Sequence, residues 1–461
     1  MLPSSPVSGA PLPKDAVIAA NRFGFGARPQ DVTAIGPDPQ GWLRRQLPPP
    51  GQAAPLPAAL QGLPRAEDYA ARFFAARQAM KQGDAGAAQA AREMLQPAIR
   101  EEAAALFRAQ AESDTPFVER WVQFWANHFT VAGRQQIVAA MAGAYEREAI
   151  RPHAFGRFGD MLLAATRHPA MLLYLDNAAS IGPNSRAGQR RHVGLNENHG
   201  RELLELHTVT PAAGYTQADV IALAKLLTGW SLGRTAADDC TIGAFCFRPA
   251  IHEPGPQVLL GHVFEPQNGA GQGEAALAML AVHPATAQHI AEKLARQFIA
   301  DDPPPAAVAA LADTFRDSGG DLRAMALAVI ARPEAWQPQN RKLRTPRDFL
   351  VAAARLTGLE MQPQRLLALL RQFGQPAFMP PSPAGWPDRA NDWMAPDALR
   401  QRIELAYIAG QKLRPPEEPA ELLDVALGVS AGSDTRQAVA RAESRQAAVA
   451  TVLAAPEFQW R

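Results

Sequence analysis

Residues 196–230 read NENHGRELLELHTVTPAAGYTQADVIALAKLLTGW, a stretch that predicts two helices joined by a short link containing Pro and Gly. Apolar residues recur at helical spacing in both halves. Thr216 and Asp219 form a near capping box at the start of the second helix, and Gly229 is a natural stop at its end. The sequence therefore predicts a helical hairpin at the centre of the fold.

Helical periodicity also dominates the rest of the chain, and alternating runs typical of strands are few. The segment 66–113 predicts two long helices with a break near QGDAG. Irregular segments lie at 178–195, 231–272 and 374–395. Two short apolar runs flank EPGP in the middle one and predict one small β-hairpin near 245–265. We therefore expect a mostly α, large multi-helical globular protein with long irregular loops.

The start of the chain is rich in Pro, Ser and Gly and lacks the charged start and apolar core of a secretory signal. Residues 1–15 predict a flexible leader, and 16–461 predict a single large α-helical domain. A separate C-terminal helical subdomain over 275–461 is the alternative division.

The composition excludes several classes of partner. The 461 residues carry a formal net charge of +1, whereas nucleic acids and anionic membranes attract a concentrated basic field. No stretch approaches the roughly eighteen apolar residues of a membrane span. The two cysteines, Cys240 and Cys246, fit neither a zinc site nor a redox motif. Two alternatives stay open for them, a local disulfide and two separate thiols.

Four polar residues of the first predicted helix share one face. With Asn198 at zero on a helical wheel, Arg201, Glu202 and Glu205 fall within about 60° of it. Leucines cover most of the remaining girth, which predicts that the helix is deeply buried. The polar face then points into an internal network or a cleft, because buried charges require partners. His207 falls on the opposite side from Glu205.

Three interpretations of this face stay open. In the first, Arg201 and Glu205 form an ion pair and Glu202 bonds to a neighbouring helix, which is a purely structural network. In the second, the two glutamates are a catalytic pair whose environments separate their pKa values. In the third, they bind a metal. The position of His207 argues against that third arrangement, so no metal ligand is predicted and a metal is not favoured.

Further candidates lie outside the hairpin. His128 lies on the aromatic face of a predicted helix, with Asn127 beside it as a hydrogen-bonding residue. His252 lies in a long loop that does not need it for packing. Trp230 and Trp386 could line a ligand platform or a cleft. For His128 and the two tryptophans, the competing interpretation is a packed position in the core.

Several familiar motifs are missing from the sequence: there is no GxSxG elbow, Walker A loop, GxGxxG after a strand, HExxH or CxxC. Common nucleotide-binding and hydrolase scaffolds are therefore not expected, and the cofactor stays unassigned.

Many segments together resemble one bacterial family, the Domain of Unknown Function 1800 family. The resemblance runs from about residue 16 to the C-terminus. It rests on NRFGFG, WANHF, REAIRPHAFGRFGDMLLAATRHPAMLLYLDN, NENHGRELLELHTV, GYTQADV, LTGW, HPATAQHIAEKLARQFIADDPP, KLRTPRDF and GWPDRANDW, in that order. The family usually shows Tyr-Ala where this chain has His199-Gly200, and His-Asp, with a lysine nearby, where this chain has His252-Glu253 and Gln257.

The resemblance implies no established activity. It implies a partner, because members often occur beside a second uncharacterised, sulfatase-like protein that tends to carry an export signal. We expect the chain either to stay in the cytoplasm or to reach the periplasm by co-export with that partner.

These observations together lead us to expect an extracytoplasmic hydrolase-like enzyme acting on a polysaccharide. The alternative is a non-catalytic partner or co-exported scaffold of the sulfatase-like protein. The predicted catalytic residues are Glu202, Glu205, Arg201, Asn198, His128 and His252. The predicted binding residues are Asn127, His207, Trp230 and Trp386.

Overall fold

The computed structural model describes residues 11–84, 86–133, 135–191, 194–235, 238–413 and 415–461. These residues form 22 α-helices and four short strands, and the fold is 63% helical, which confirms the predicted mostly α class. The α-helices are α1 (Lys14–Ile18), α2 (Val32–Ile35), α3 (Pro39–Gln46), α4 (Ala66–Lys81), α5 (Ala87–Glu112), α6 (Pro116–His128), α7 (Gln136–Tyr145), α8 (Phe158–Arg167), α9 (Pro169–Tyr174), α10 (Arg186–Arg191), α11 (Asn198–Glu202), α12 (Gln217–Leu226), α13 (Gly271–Ala281), α14 (Pro284–Phe298), α15 (Pro305–Asp317), α16 (Leu322–Ala331), α17 (Pro346–Thr357), α18 (Pro363–Gln372), α19 (Pro396–Lys412), α20 (Pro419–Leu427), α21 (Ser433–Ala440) and α22 (Arg445–Ala454).

Proline starts many of these helices. Nine of the described α-helices begin at a proline, where the missing N–H has no intrahelical partner to lose and φ is already helical. The chain has 41 prolines, and their placement at helix starts explains how so proline-rich a chain is mostly helical.

The predicted central hairpin is present, but its first arm is not a regular helix. After α11 the chain continues as a π-helix over Leu203–His207, in which each N–H bonds to the carbonyl five residues back. The second arm, α12, starts with the predicted capping box, in which the side chains of Thr216 and Asp219 each bond to the other's backbone N–H.

The strands form two small antiparallel pairs. β1 (Trp230–Leu232) pairs with β2 (Phe245–Phe247), and β3 (Gln257–Leu259) pairs with β4 (His262–Phe264). The small β-hairpin expected near 245–265 therefore exists as β3–β4, but the two apolar runs do not pair across EPGP. The turn between β3 and β4 is Leu260–Gly261, with φ of 49° and 78°, as in the two-residue turns that match strand twist.

One cluster of buried apolar side chains extends through the chain, from Leu12 to Phe458. Helix α1 begins at Lys14 and Leu12 is buried, so these residues of the predicted 1–15 leader are packed against the core. Residues 1–10 of that leader lie outside the described residues, and the division into domains stays a prediction. Across the described chain, no helix is long and apolar enough to cross a membrane.

Candidate functional site

The polar face of the first hairpin arm looks outward. Asn198 and Glu205 are exposed, and Glu202 is half-buried, so the expectation of an enclosed network is wrong. Arg201 pairs with Glu197 at 3.0 Å and not with Glu205. Burial and the nearby Glu205 raise the pKa of Glu202. The two glutamates are neighbours at the protein surface.

The opposite side of the same arm faces a buried cluster of histidines. His207 is buried, as its wheel position predicts, and its ring lies 6.0 Å from that of His128, which lies 5.9 Å from that of His289. His128 Nε2 lies 3.1 Å from the carbonyl oxygen of His207, and His289 Nε2 lies 2.9 Å from that of Leu206. These two side chains therefore cap the last carbonyls of the π-helix.

The tautomer of His128 follows from this contact. A carbonyl oxygen only accepts, so Nε2 carries the proton and Nδ1 carries the lone pair. Burial lowers the pKa of His128 well below its ordinary value, which keeps the ring neutral at pH 7. Nδ1 is buried and has no hydrogen-bond partner among the described residues. It is a free acceptor.

The remaining loop candidates form part of the scaffold. His252 Nδ1 lies 2.7 Å from the carbonyl oxygen of Thr228, and its Nε2 lies 3.2 Å from the side chain of Gln272. Trp230 is fully buried, with the guanidinium of Arg167 over its ring. Their contacts hold the 231–272 segment against the helices. That segment also contains a disulfide between Cys240 and Cys246.

A cavity of about 150 Å³ lies where the end of α6, the middle of α14, the start of α17 and the 374–395 segment meet. Its wall includes Gln123, Asn127, His128, Glu146, Lys293, Gln297, Thr345, Arg347, Trp386 and Asp388. We call this space the Lys293 cavity. It gathers three predicted residues, His128, Asn127 and Trp386. The hairpin residues Asn198, Arg201, Glu202 and Glu205 do not line it, and neither do His207, Trp230 and His252.

The loop over the Lys293 cavity is held by a reciprocal contact. The side-chain amide of Asn127 donates to the carbonyl oxygen of Trp386 at 3.0 Å, and the backbone N–H of Trp386 donates to Asn127 Oδ1 at 2.7 Å. Gly385 precedes this contact with φ of 89°, and an added Cβ would lie 2.5 Å from the backbone oxygen of Asn127. Glycine is therefore required where the loop meets α6.

Lys293 stands out on the cavity wall. Its amine makes no hydrogen bond or ion pair with the described residues. Burial lowers its pKa from 10.5 to about 8, although the charge of Asp388 acts in the opposite direction. Lys342, which is buried, differs because its amine bonds to the Asp301 carboxylate and to the backbone oxygen of Asp388. Lys293 is thus an unpartnered amine that titrates near physiological pH.

Sequence reasoning missed Lys293, although a signal was present. The chain has only six lysines among its 46 basic residues. Lys293 lies one turn from both His289 and Gln297 on α14, so a polar row runs along a helix that buries seven of its fifteen residues. No group of three His, Cys, Asp or Glu side chains that could hold a metal ion occurs within the described residues.

The family model described as "Protein of unknown function (DUF1800)" matches residues 18–460, and the chain belongs to that family. No curated protein and no solved structure matches it. Four of the segments on which the resemblance rests, WANHF, HPATAQHIAEKLARQFIADDPP, KLRTPRDF and GWPDRANDW, supply residues to the wall of the Lys293 cavity.

Proposed function

We propose that this member of the DUF1800 family is an extracytoplasmic hydrolase that acts on a polysaccharide, with its active site in the Lys293 cavity. The observation that supports the proposal is the unpartnered amine of Lys293, whose pKa is lowered to about 8, on the wall of a polar cavity. A general base is most effective when its pKa lies near the working pH.

The site proposed here replaces the glutamate pair predicted from the sequence. Glu202 and Glu205 lie on a solvent-facing surface, and Glu205 is exposed. Charges act on a reacting group far more strongly where water is excluded. The Lys293 cavity meets that condition better, because His128 and Gln123 place buried, unbonded acceptor atoms on its wall.

The roles of the cavity residues follow from their protonation. With a pKa of about 8, about a tenth of Lys293 is neutral at pH 7. The neutral amine accepts a proton from a water molecule as the water oxygen bonds to the anomeric carbon and the glycosidic C–O bond breaks. The leaving oxygen takes a proton from solvent and the ammonium returns one to solvent, so the amine is regenerated and one water is consumed. His128 Nδ1 accepts from the attacking water and orients it, and the Asp388 carboxylate stabilises the ammonium.

Trp386 supports a saccharide as the substrate. Its indole is half-buried on the cavity wall, and the loop that carries it is fixed to α6 through Asn127. A rigid, partly exposed aromatic face can stack on the apolar face of a sugar ring.

Hydrolysis assays with matched lysine variants test the proposal. Purified wild type, Lys293→Met and Lys81→Met are incubated with a panel of neutral and acidic polysaccharides, and newly formed reducing ends are counted. Lys81 is exposed and distant in sequence from every wall residue. We expect Lys293→Met to lose about 10²–10⁴-fold in rate and Lys81→Met to keep it. Full activity in Lys293→Met, or no hydrolysis of any polysaccharide by wild type, would contradict the proposal.

A second candidate function is that of a non-catalytic partner, co-exported with a sulfatase-like protein. The Cys240–Cys246 disulfide supports the export part of this idea, because disulfides persist mainly in oxidising compartments. Cell fractions are tested for the protein, with the partner gene present and deleted, and its thiols are probed by alkylation. Reduced protein found only in the cytosol with the partner present would contradict export.

A further inference from the structure

We propose that the substrate of the Lys293 cavity carries an oxyanion, a carboxylate, sulfate or phosphate on the sugar, and that Arg347 and Thr345 bind it. This inference rests on the proposed function, because it names the class of saccharide that the same cavity takes.

Arg347 has the free donors that an oxyanion requires. Its Nε donates to Gln110 Oε1 at 3.0 Å, which fixes the plane of the guanidinium. Its two terminal nitrogens have no hydrogen bond to the described residues, and no carboxylate of the described residues forms an ion pair with them. Arg347 lines the cavity, so this pair of nitrogens is available to a ligand as a two-pronged donor.

The other arginines at the cavity behave differently, which makes the unpaired state of Arg347 significant. Arg120 donates to the Asp348 carboxylate at 3.1 Å, and Arg461 lies 3.4 Å from it. Both also donate to backbone carbonyls. Arg347 has only unbonded carboxylates as counter-charges, so its terminal N–H groups stay free for a ligand. Burial lowers the pKa of Arg347, and the charges of Glu146, Asp348 and Glu119 act in the opposite direction.

The start of α17 adds donors on the same side. Thr345 caps this twelve-residue helix by accepting from the backbone N–H of Asp348 at 3.2 Å. Its hydroxyl proton is bonded to no described residue, and Thr345 lines the cavity. The positive end of the helix dipole lies here as well. The start of α17 therefore adds donors that suit an anion to those of Arg347.

A neutral sugar would leave this wall unsatisfied. Its hydroxyls could accept from Arg347 but would supply no charge, so the half-buried guanidinium would keep only the unbonded carboxylates of Glu146, Asp348 and Glu119. The Asp388 charge acts on Lys293 and Lys342. An acidic saccharide satisfies Arg347 with its oxyanion and presents its ring to Trp386.

Calorimetric titration with four matched ligands tests the inference. The probes are glucose, glucuronate, glucose 6-sulfate and glucose 6-phosphate, at constant ionic strength, which separates the three sources of the oxyanion. We expect at least one anionic sugar to bind wild type more than tenfold tighter than glucose. Arg347→Gln should lose about tenfold or more of that affinity, because a hydrogen bond to a charged group contributes about 1.5–3 kcal/mol.

Two further variants keep the test decisive. Arg347→Lys retains the charge but not the fork and should bind with intermediate affinity, and circular dichroism confirms that each variant is folded. Arg365→Gln removes an exposed arginine outside the cavity and should bind as wild type does. Equal binding of glucose and all three anionic sugars, or unchanged anion affinity in folded Arg347→Gln, would overturn the inference.

Its failure can be told apart from failure of the proposed function. Hydrolysis of a neutral polysaccharide at the same rate by wild type and Arg347→Gln overturns the oxyanion site and leaves the enzyme. Arg347-dependent binding of an acidic sugar with no hydrolysis leaves the oxyanion site and overturns the enzyme.

Discussion

Replacement of Lys293 by methionine should stabilise the protein at pH 7, although it should lower the rate of hydrolysis about 10²–10⁴-fold. The pKa of Lys293 falls from 10.5 to about 8 in the folded state. Each pKa unit corresponds to about 1.4 kcal/mol, so keeping this amine charged in the fold costs about 3 kcal/mol. The side chain is partly exposed, and we discount the figure to about 2 kcal/mol for solvent screening. Methionine fills much of the same space without the charge.

The pH dependence gives the sign of the effect. A lysine whose folded pKa is lowered destabilises the fold fully below that pKa, and the penalty disappears as the pH rises through the unfolded value. The gain of Lys293→Met over wild type should therefore be constant from pH 6 to about 8 and shrink toward zero near pH 10.5. Unfolding entropy of about 2 cal/mol/K per residue converts 2 kcal/mol to a rise of about 2 °C in Tm.

Urea and thermal melts of wild type, Lys293→Met and Lys342→Met measure the change in the free energy of unfolding and in Tm. Lys342 is the matched control, because it is buried but bonded to Asp301 and to the Asp388 backbone. Lys342→Met should destabilise by about 3 kcal/mol, since it leaves a carboxylate without its partner. If Lys293→Met lowers stability as Lys342→Met does, or if its effect is independent of pH, then Lys293 is a structural residue and the reasoning about the cavity is wrong.

Three other variants probe the rest of the structure. Gly385→Ala should destabilise the protein by about 1–3 kcal/mol and speed proteolysis of the 374–395 segment, because the added Cβ lies 2.5 Å from the backbone of α6. Gly374→Ala is the control, since Gly374 also has a positive φ but has open space around it, and it should cost less stability. Equal losses of stability in the two variants would contradict the steric explanation. Serine at both Cys240 and Cys246 should cost about 2 kcal/mol in denaturant melts, as expected for so short a loop, and wild-type stability in the double variant would show that the bond contributes nothing. Glu202→Gln should be neutral or stabilising by up to about 0.5 kcal/mol at pH 7, because a carboxyl group with a raised pKa costs stability when it is ionised. The gain in stability should vanish near pH 4. A loss of stability at pH 7 would show that the carboxylate has a stabilising partner.

Periodicity is enough to predict a mostly helical fold. The break between α4 and α5, the capping box of α12 and the absence of long strands all follow from local rules that involve residues close in sequence. The pairing of β2 with β1 rather than with β3 could not be obtained in this way. It depends on where α12 delivers Trp230, which is set by packing between distant segments.

The candidate site is likewise only partly predictable from the sequence. His128, Asn127 and Trp386 are predicted because of their local sequence settings, and the structure brings all three to one cavity. Lys293 was missed because a lysine on an amphipathic helix normally reaches into water. Only the approach of α6 and the 374–395 segment places that side chain on a cavity wall. The wheel places Glu205 on the polar face, and the structure keeps it there. The error lies in the inference that leucines around the rest of the helix enclose this face, since Asn198 and Glu205 are exposed.

The π-helix over Leu203–His207 constrains the number of residues in the first hairpin arm more strongly than it constrains which residues they are. A wide turn holds one residue more than a regular one, and the two final carbonyls, of Leu206 and His207, are aimed at His289 and His128 only with that residue present. Deleting a single residue between Asn198 and Thr208 would restore a regular helix and rotate both carbonyls by about 100°. Substitutions on the outward face should be tolerated there, whereas single-residue insertions and deletions should not.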